Sequence, residues 1–221
     1  MILPEKLDQL QRGWSNLVQP WGADFDAIYR TFDRLVAAYT EPWRHYHTLE
    51  HIAEVLKVAG RLAKHHAEPV IANLAIWFHD AVYDPKRSDN EAKSAEFADG
   101  ELASLGVPID IRNRVAELIL YTDHRAEPPP DDATAAVLLD ADLAILGAGE
   151  SRYRRYAEAI RREYDWVPAD VYAVERTKVL QGFLQRPAIY RTESMRAEGE
   201  AAARANLTGK IGRLAESHGH G

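Results

Sequence analysis

Apolar residues recur at spacings of three and four along nearly the whole chain, a period that admits helices and little else. Phe25, Ile28, Tyr29, Phe32, Leu35 and Val36 fall on one helical face, and Ile52, Val55, Leu56, Ala59 and Leu62 on another. The alternating β-branched stretches that mark strands are absent. Thr48 is placed to cap the helix that carries His51. Further helices are expected at about 88–105, 108–122, 131–146, 150–164, 168–185 and 197–215. Breaks fall at Asp84-Pro85, Gly106-Val107-Pro108, Pro128–Pro130, Gly147-Ala148-Gly149, Pro168 and Pro187. The expected fold is therefore all-α, a bundle of roughly nine or ten helices. The prolines at 128–130 sit between helices that both carry polar candidates, so they read as a turn inside one domain spanning 1–221.

Composition narrows the function classes. With 46% hydrophobic and 28% charged residues in 221, the chain is ordinary for a globular protein. A formal charge of −7 argues against a broad electrostatic footprint for a nucleic-acid polymer. It does not argue against a small anionic substrate, because a local Arg cluster can oppose the global sign. With no cysteine, disulfides, zinc–thiolate sites and thiol nucleophiles are excluded. No run approaches the ~18 apolar residues of a membrane span, and the N-terminus lacks the pattern of a signal peptide. The expectation is a cytoplasmic protein without a membrane partner. Ser217–Gly221 reads as a frayed tail whose histidines are weak site candidates.

One dipeptide stands out against this background. His79-Asp80 ends the apolar run Val70, Ile71, Leu74, Ile76, Trp77 and Phe78. Polar groups at the end of a buried helix need partners, because unpaired burial costs several kcal/mol, and a metal ion is one such partner. Companions are available upstream in His47 and His51, four residues apart, and downstream in Asp140 and Asp142 within the apolar segment Val137–Leu146. Each has an ordinary alternative. A lone His on an apolar face is more often a hydrogen-bonded core residue than a ligand, and a helical Asp more often caps the helix or pairs with an Arg. What favours a metal is the joint pattern of His, then His-Asp, then Asp, on three separate apolar helices. Nitrogen and oxygen ligands without thiolate suit Mn, Fe, Co, Ni or Zn better than Ca.

That order of residues resembles the HD superfamily of metal-dependent phosphohydrolases, and the chain is most similar to a bacterial group of predicted HD phosphohydrolases of about this length. The stretches that carry the resemblance are Arg44–His51, Trp77–Pro85, Asp89–Ser94 and Leu139–Gly147, with weaker similarity at 162–164, 176–184 and 203–207. The resemblance implies metal ligation by His51, His79, Asp80 and Asp142, with Asp140 orienting a ligating His from behind. His47 followed by His51 also resembles the segment of cyclic-nucleotide phosphodiesterases in which the first His is the general acid. By that analogy His47 protonates the leaving oxygen, while Asp80 belongs to the catalytic set.

The activity implied is hydrolysis of a small phosphorylated substrate by a metal-activated water. Substrate contacts would come from Arg44, Glu91, Lys93 and His124, the last able to take the phosphate, the departing group or a second metal, with Arg125 and Arg162 as further phosphate binders; a solvated surface residue is the ordinary alternative for Glu91, and a surface charge is the commoner role of such Arg and Lys residues. Two departures qualify the likeness. Alarmone hydrolases carry Glu-Asp two residues after His-Asp, where this chain has Tyr83-Asp84. Di-iron oxygenases of the superfamily place two more His between the central His-Asp and the last Asp, where this chain has only His124. Other readings of the scaffold are a non-enzymatic nucleotide or metal sensor, a di-iron oxygenase, and a plain helical interaction module.

Overall fold

The computed structural model describes residues 2–62 and 68–218, with side chains up to Glu216; the side chains of the expected tail lie outside the described residues. The chain is all-α, with ten α-helices and no strand among the described residues. It divides into two compact units, 1–141 and 142–221, the division falling at the last residue of a helix.

The first unit is built from helices α1 (Pro4–Val18), α2 (Phe25–Tyr39), α3 (Leu49–Leu62), α4 (Pro69–Phe78), α5 (Asn90–Ser104), α6 (Ile109–Leu120) and α7 (Ala133–Asp142). Its centre is α4, which packs against α1, α3, α5 and α6. This follows from composition: Ile71, Ala72 and Leu74–Phe78 are all buried, and Asn73 is the one polar residue of α4. Aromatic rings knit it to its neighbours. Trp77 lies edge-on to Trp14 and Phe32 with centroids at 5.6 and 6.0 Å, and Phe78 meets Trp14 and Phe97 at 5.9 and 5.8 Å. The Tyr39 hydroxyl donates to the Trp77 carbonyl at 2.9 Å, which fixes the end of α4 where His79 and Asp80 follow.

Helix ends fall where the sequence punctuates. α5 closes in a Schellman turn: Gly106 adopts φ 76°, its N–H bonds the Ala103 carbonyl, and the Val107 N–H bonds the Leu102 carbonyl. α7 begins with the Asp132 carboxylate accepting from the Ala135 N–H, while Arg114 of α6 grips the same carboxylate at 2.6 and 2.7 Å.

The second unit holds a 3₁₀ segment (Leu143–Gly147), α8 (Glu150–Glu163), α9 (Ala169–Gln185) and α10 (Glu193–His218). The sequence predicts one helix over 131–146; the α-helix ends at Asp142 and tightens to 3₁₀. The carbonyls this frees have found other donors. The Tyr190 hydroxyl reaches Leu143, and the Asn206 amide reaches both Leu146 and Ala148 at 2.8 Å. Gly147 is required there, since a Cβ would stand 2.8 Å from the Tyr190 hydroxyl and 2.9 Å from the Gly199 carbonyl.

Candidate metal centre

α3 begins at Leu49, and the Ile52 N–H bonds the Thr48 carbonyl, so His51 lies in its first turn and faces inward while His47 stands just outside. Arg44 ties this entry segment to the turn after α4. Its side chain has no exposure to solvent. Nη1 donates to the carbonyls of His47 and Asp80 at 3.2 and 2.6 Å, Nη2 to the Ala81 carbonyl at 3.0 Å, and Nε to the Glu41 carboxylate at 2.9 Å. The rings of Tyr39 and Tyr83 flank the guanidinium at 5.2 and 5.4 Å. Expected as a phosphate contact, Arg44 is instead a buried strut joining the two segments that bear His51 and His79-Asp80.

His79 is anchored by its own helix. Nδ1 lies 2.9 Å from the Ile76 carbonyl, which can only accept, so Nδ1 carries the proton and Nε2 is turned to the far side. Nε2 then stands 3.3 Å from His51 Nε2 and 3.0 Å from Asp80 Oδ2, and the third side, from His51 Nε2 to Asp80 Oδ2, is 3.6 Å. Polar atoms packed this closely share a proton or a metal ion. A triangle with these sides has a circumradius of about 1.9 Å, just under the ~2.0–2.1 Å of Zn–N and Zn–O bonds. The Asp142 carboxylate joins the group: His51, His79 and Asp142 each offer a ligand atom, all within 4.8 Å of one another. Both imidazoles are buried and Asp142 is half-buried. The donor set therefore fits a divalent first-row ion.

Electrostatics agree. Burial pushes the Asp80 carboxyl up, but His79, then His47 and His51, together with a hydrogen bond from His79, hold it well below the usual carboxylate range. Asp140 is buried on α7. Two residues before Asp142 is about 200° around a helix, so the two carboxylates leave α7 on different sides.

His47 is half-buried beside this group, its ring 4.2 Å from Tyr83 and 5.9 Å from His51. Tyr46 covers the other flank of His51 at 4.7 Å. Glu91 opens α5; its carboxyl is raised by burial and by Asp123 and Asp80, against a hydrogen bond from its own backbone and the pull of Arg125. It therefore shares a field with Asp80 and with the turn holding His124. His124 is exposed in that turn, and Arg125 is engaged with Asp123. Lys93 pairs with Glu96 on the face of α5 at 2.8 Å.

Two positioning residues are not among the expected site residues. Ser94 is fully buried, accepts from the Val82 N–H and donates to the Val82 carbonyl, both at 3.1 Å. Asn90, one turn earlier, exchanges two hydrogen bonds with the Asp84 backbone. The pair pins the loop after Asp80 to α5. Their spacing of four on one helix was the available clue.

No protein-family model, curated protein or solved structure matches this chain. No helix among the described residues is long and apolar enough to cross a membrane.

Proposed function

We propose that this chain is a metal-dependent phosphohydrolase of the HD type, holding a divalent transition ion on His51, His79, Asp80 and Asp142 and cleaving a small phosphoester. The observation that carries the reading is the convergence of His51 Nε2, His79 Nε2 and Asp80 Oδ2 within 3.6 Å of one another, with an Asp142 ligand atom close to both imidazoles. When bound, such an ion polarises a phosphoryl oxygen and brings the pKa of a coordinated water toward ~7.

The chain's own residues supply the rest. His79 enters the site in one tautomer, because the Ile76 carbonyl holds its other nitrogen. Arg44 keeps the backbones of His47, Asp80 and Ala81 in register. His47 is assigned the proton given to the leaving oxygen, a step worth about 10²–10⁴-fold, and Tyr83 fixes the plane of its ring. Of the expected substrate contacts, Arg44 and Lys93 are engaged with protein groups, which leaves Glu91 and His124 to face the substrate.

Elemental analysis of the purified protein beside Asp80→Ala tests the reading. About one equivalent of a transition metal, lost in the variant, supports it; a phosphoester panel under that metal then yields turnover that His47→Ala loses without losing metal. A protein that takes up no metal after reconstitution with Mn, Fe, Co, Ni or Zn overturns it, as does a stoichiometry of two irons with no phosphoester cleaved.

A further inference from the structure

A second polar constellation lies wholly within the second unit and owes nothing to the metal centre. Tyr153 of α8 and Tyr172 of α9 are 1% and 6% exposed, and neither buried hydroxyl has a hydrogen-bond partner among the described residues. A buried hydroxyl without an acceptor has given up its hydration for nothing. Two of them in one small unit point to an occupant.

The surrounding groups say what kind. Arg176, one turn after Tyr172, donates to the Tyr156 hydroxyl at 2.9 Å, and the Tyr156 ring lies 5.6 Å from that of Tyr153. Arg161 lies over the Tyr172 ring at 4.6 Å. From α10, Arg213 acts on the Tyr153 hydroxyl together with Arg176. Lys210, half-buried on the same helix, has its pKa lowered by burial and then by Arg213, Arg176 and Arg161, with Glu158 the acid opposing them. Burial likewise raises both tyrosines, so each keeps its proton and remains a donor. Arg161 is met by the Tyr164 and Val167 carbonyls, but of the charged groups that act most on Lys210 three are cations and one, Glu158, is an acid. Such a cluster lacks negative charge and acceptor oxygens, which is what a tetrahedral oxyanion brings.

We propose that α8, α9 and α10 hold a binding site for a small oxyanion of the phosphate class, with Tyr153, Tyr172, Arg176 and Lys210 as its donors and Arg213 adding charge. The site is independent of the proposed hydrolysis and stands whether or not the first unit binds metal.

The test is calorimetric titration of the full-length protein with inorganic phosphate, repeated in Asp80→Ala so that the first unit's cluster is disabled. Saturable one-to-one binding is expected in both, weakened about tenfold or more in Tyr153→Phe and in Lys210→Met. Thermal melts of Tyr153→Phe keep the outcome decisive even if Lys210→Met does not fold. Without phosphate, this variant should melt at or above the wild type, since it removes an unpaired hydroxyl. With saturating phosphate the order should invert. Absence of saturable binding overturns the proposal, as does wild-type affinity in Tyr153→Phe. Equal destabilisation of that variant with and without phosphate also overturns it, by assigning the hydroxyl to a bound water.

Discussion

Replacing Arg44 with Met separates a strut from a substrate contact. The guanidinium makes three bonds to backbone carbonyls and one to Glu41, whose carboxylate is a third exposed and recovers water when released. The cost therefore rests on the carbonyls of His47, Asp80 and Ala81. Each unpaired buried acceptor costs ~1–3 kcal/mol before relaxation. Since the turn can shift toward water and the Met stem refills part of the volume, the expected loss is about 3–5 kcal/mol, the scale seen when one side of a buried charged network is removed. Against a total stability of roughly 5–15 kcal/mol this is large. Arg44→Lys should recover only part of it, because an ammonium cannot span three carbonyls in a plane as the fork does. Urea denaturation of metal-free protein, extrapolated to water, gives the stability change; a metal titration should show at least tenfold weaker affinity, because His51 and Asp80 lose their common anchor. A loss below ~1 kcal/mol with unchanged metal affinity would refute the strut. If that result came with a raised KM for a phosphoester, Arg44 would be a substrate ligand after all.

Other expectations follow from the same geometry. Asp80 has its folded-state pKa held down by the histidines, so in metal-free protein its contribution is present above the unfolded value of ~3.9 and lost as pH falls below it; the stability gap between wild type and Asp80→Asn should close on acidification through that range, and a gap that widens there contradicts the sign. Tyr83→Ala removes the ring that stacks on His47 at 4.2 Å and should cut turnover about ten- to a hundredfold with metal content unchanged, whereas Tyr83→Phe should keep most of it; equal rates in wild type and the Ala variant would deny Tyr83 a positioning role. Gly147→Ala drives a Cβ to within 2.8 Å of the Tyr190 hydroxyl and 2.9 Å of the Gly199 carbonyl and should cost roughly 1–3 kcal/mol by overpacking, measured as a lowered urea midpoint; unchanged stability would mean this contact is loose.

What the sequence made legible was whatever repeats or punctuates. The three-and-four period marked α5, α6, α8 and α9 to within about two residues, because each packs its buried residues within its own unit. Gly106 could be read as a stop because only a residue at ease with positive φ closes that turn. The 3₁₀ segment after Asp142 could not, since its cause lies in Tyr190 and Asn206, some fifty to sixty residues on. The candidate site divides along the same line. His51, His79 and Asp142 are conspicuous because each interrupts an apolar face, and the fold brings their ligand atoms together. Arg44, Asn90 and Ser94 act on backbone groups, which every residue possesses, so their partners leave no trace in the pattern of side chains.

The anchors around the end of α4 explain how adjacent residues come to share one point. On a continuous helix His79 and Asp80 would diverge by about 100°. His79 still closes an α-helical bond to the Ala75 carbonyl, and the Ala81 N–H then bonds the Phe78 carbonyl three residues back, a turn that separates neighbouring side chains by no less than this, so the convergence comes from how the two residues are held. Two anchors then fix the pair: the Ile76 carbonyl holds the His79 ring, and Arg44 takes the carbonyls of Asp80 and Ala81. With both backbones held, the imidazole and the carboxylate meet at 3.0 Å. The anchors rather than the course of the backbone therefore bring the dipeptide together, and the buried Arg44 guanidinium belongs to the candidate site as firmly as the residues that would touch an ion.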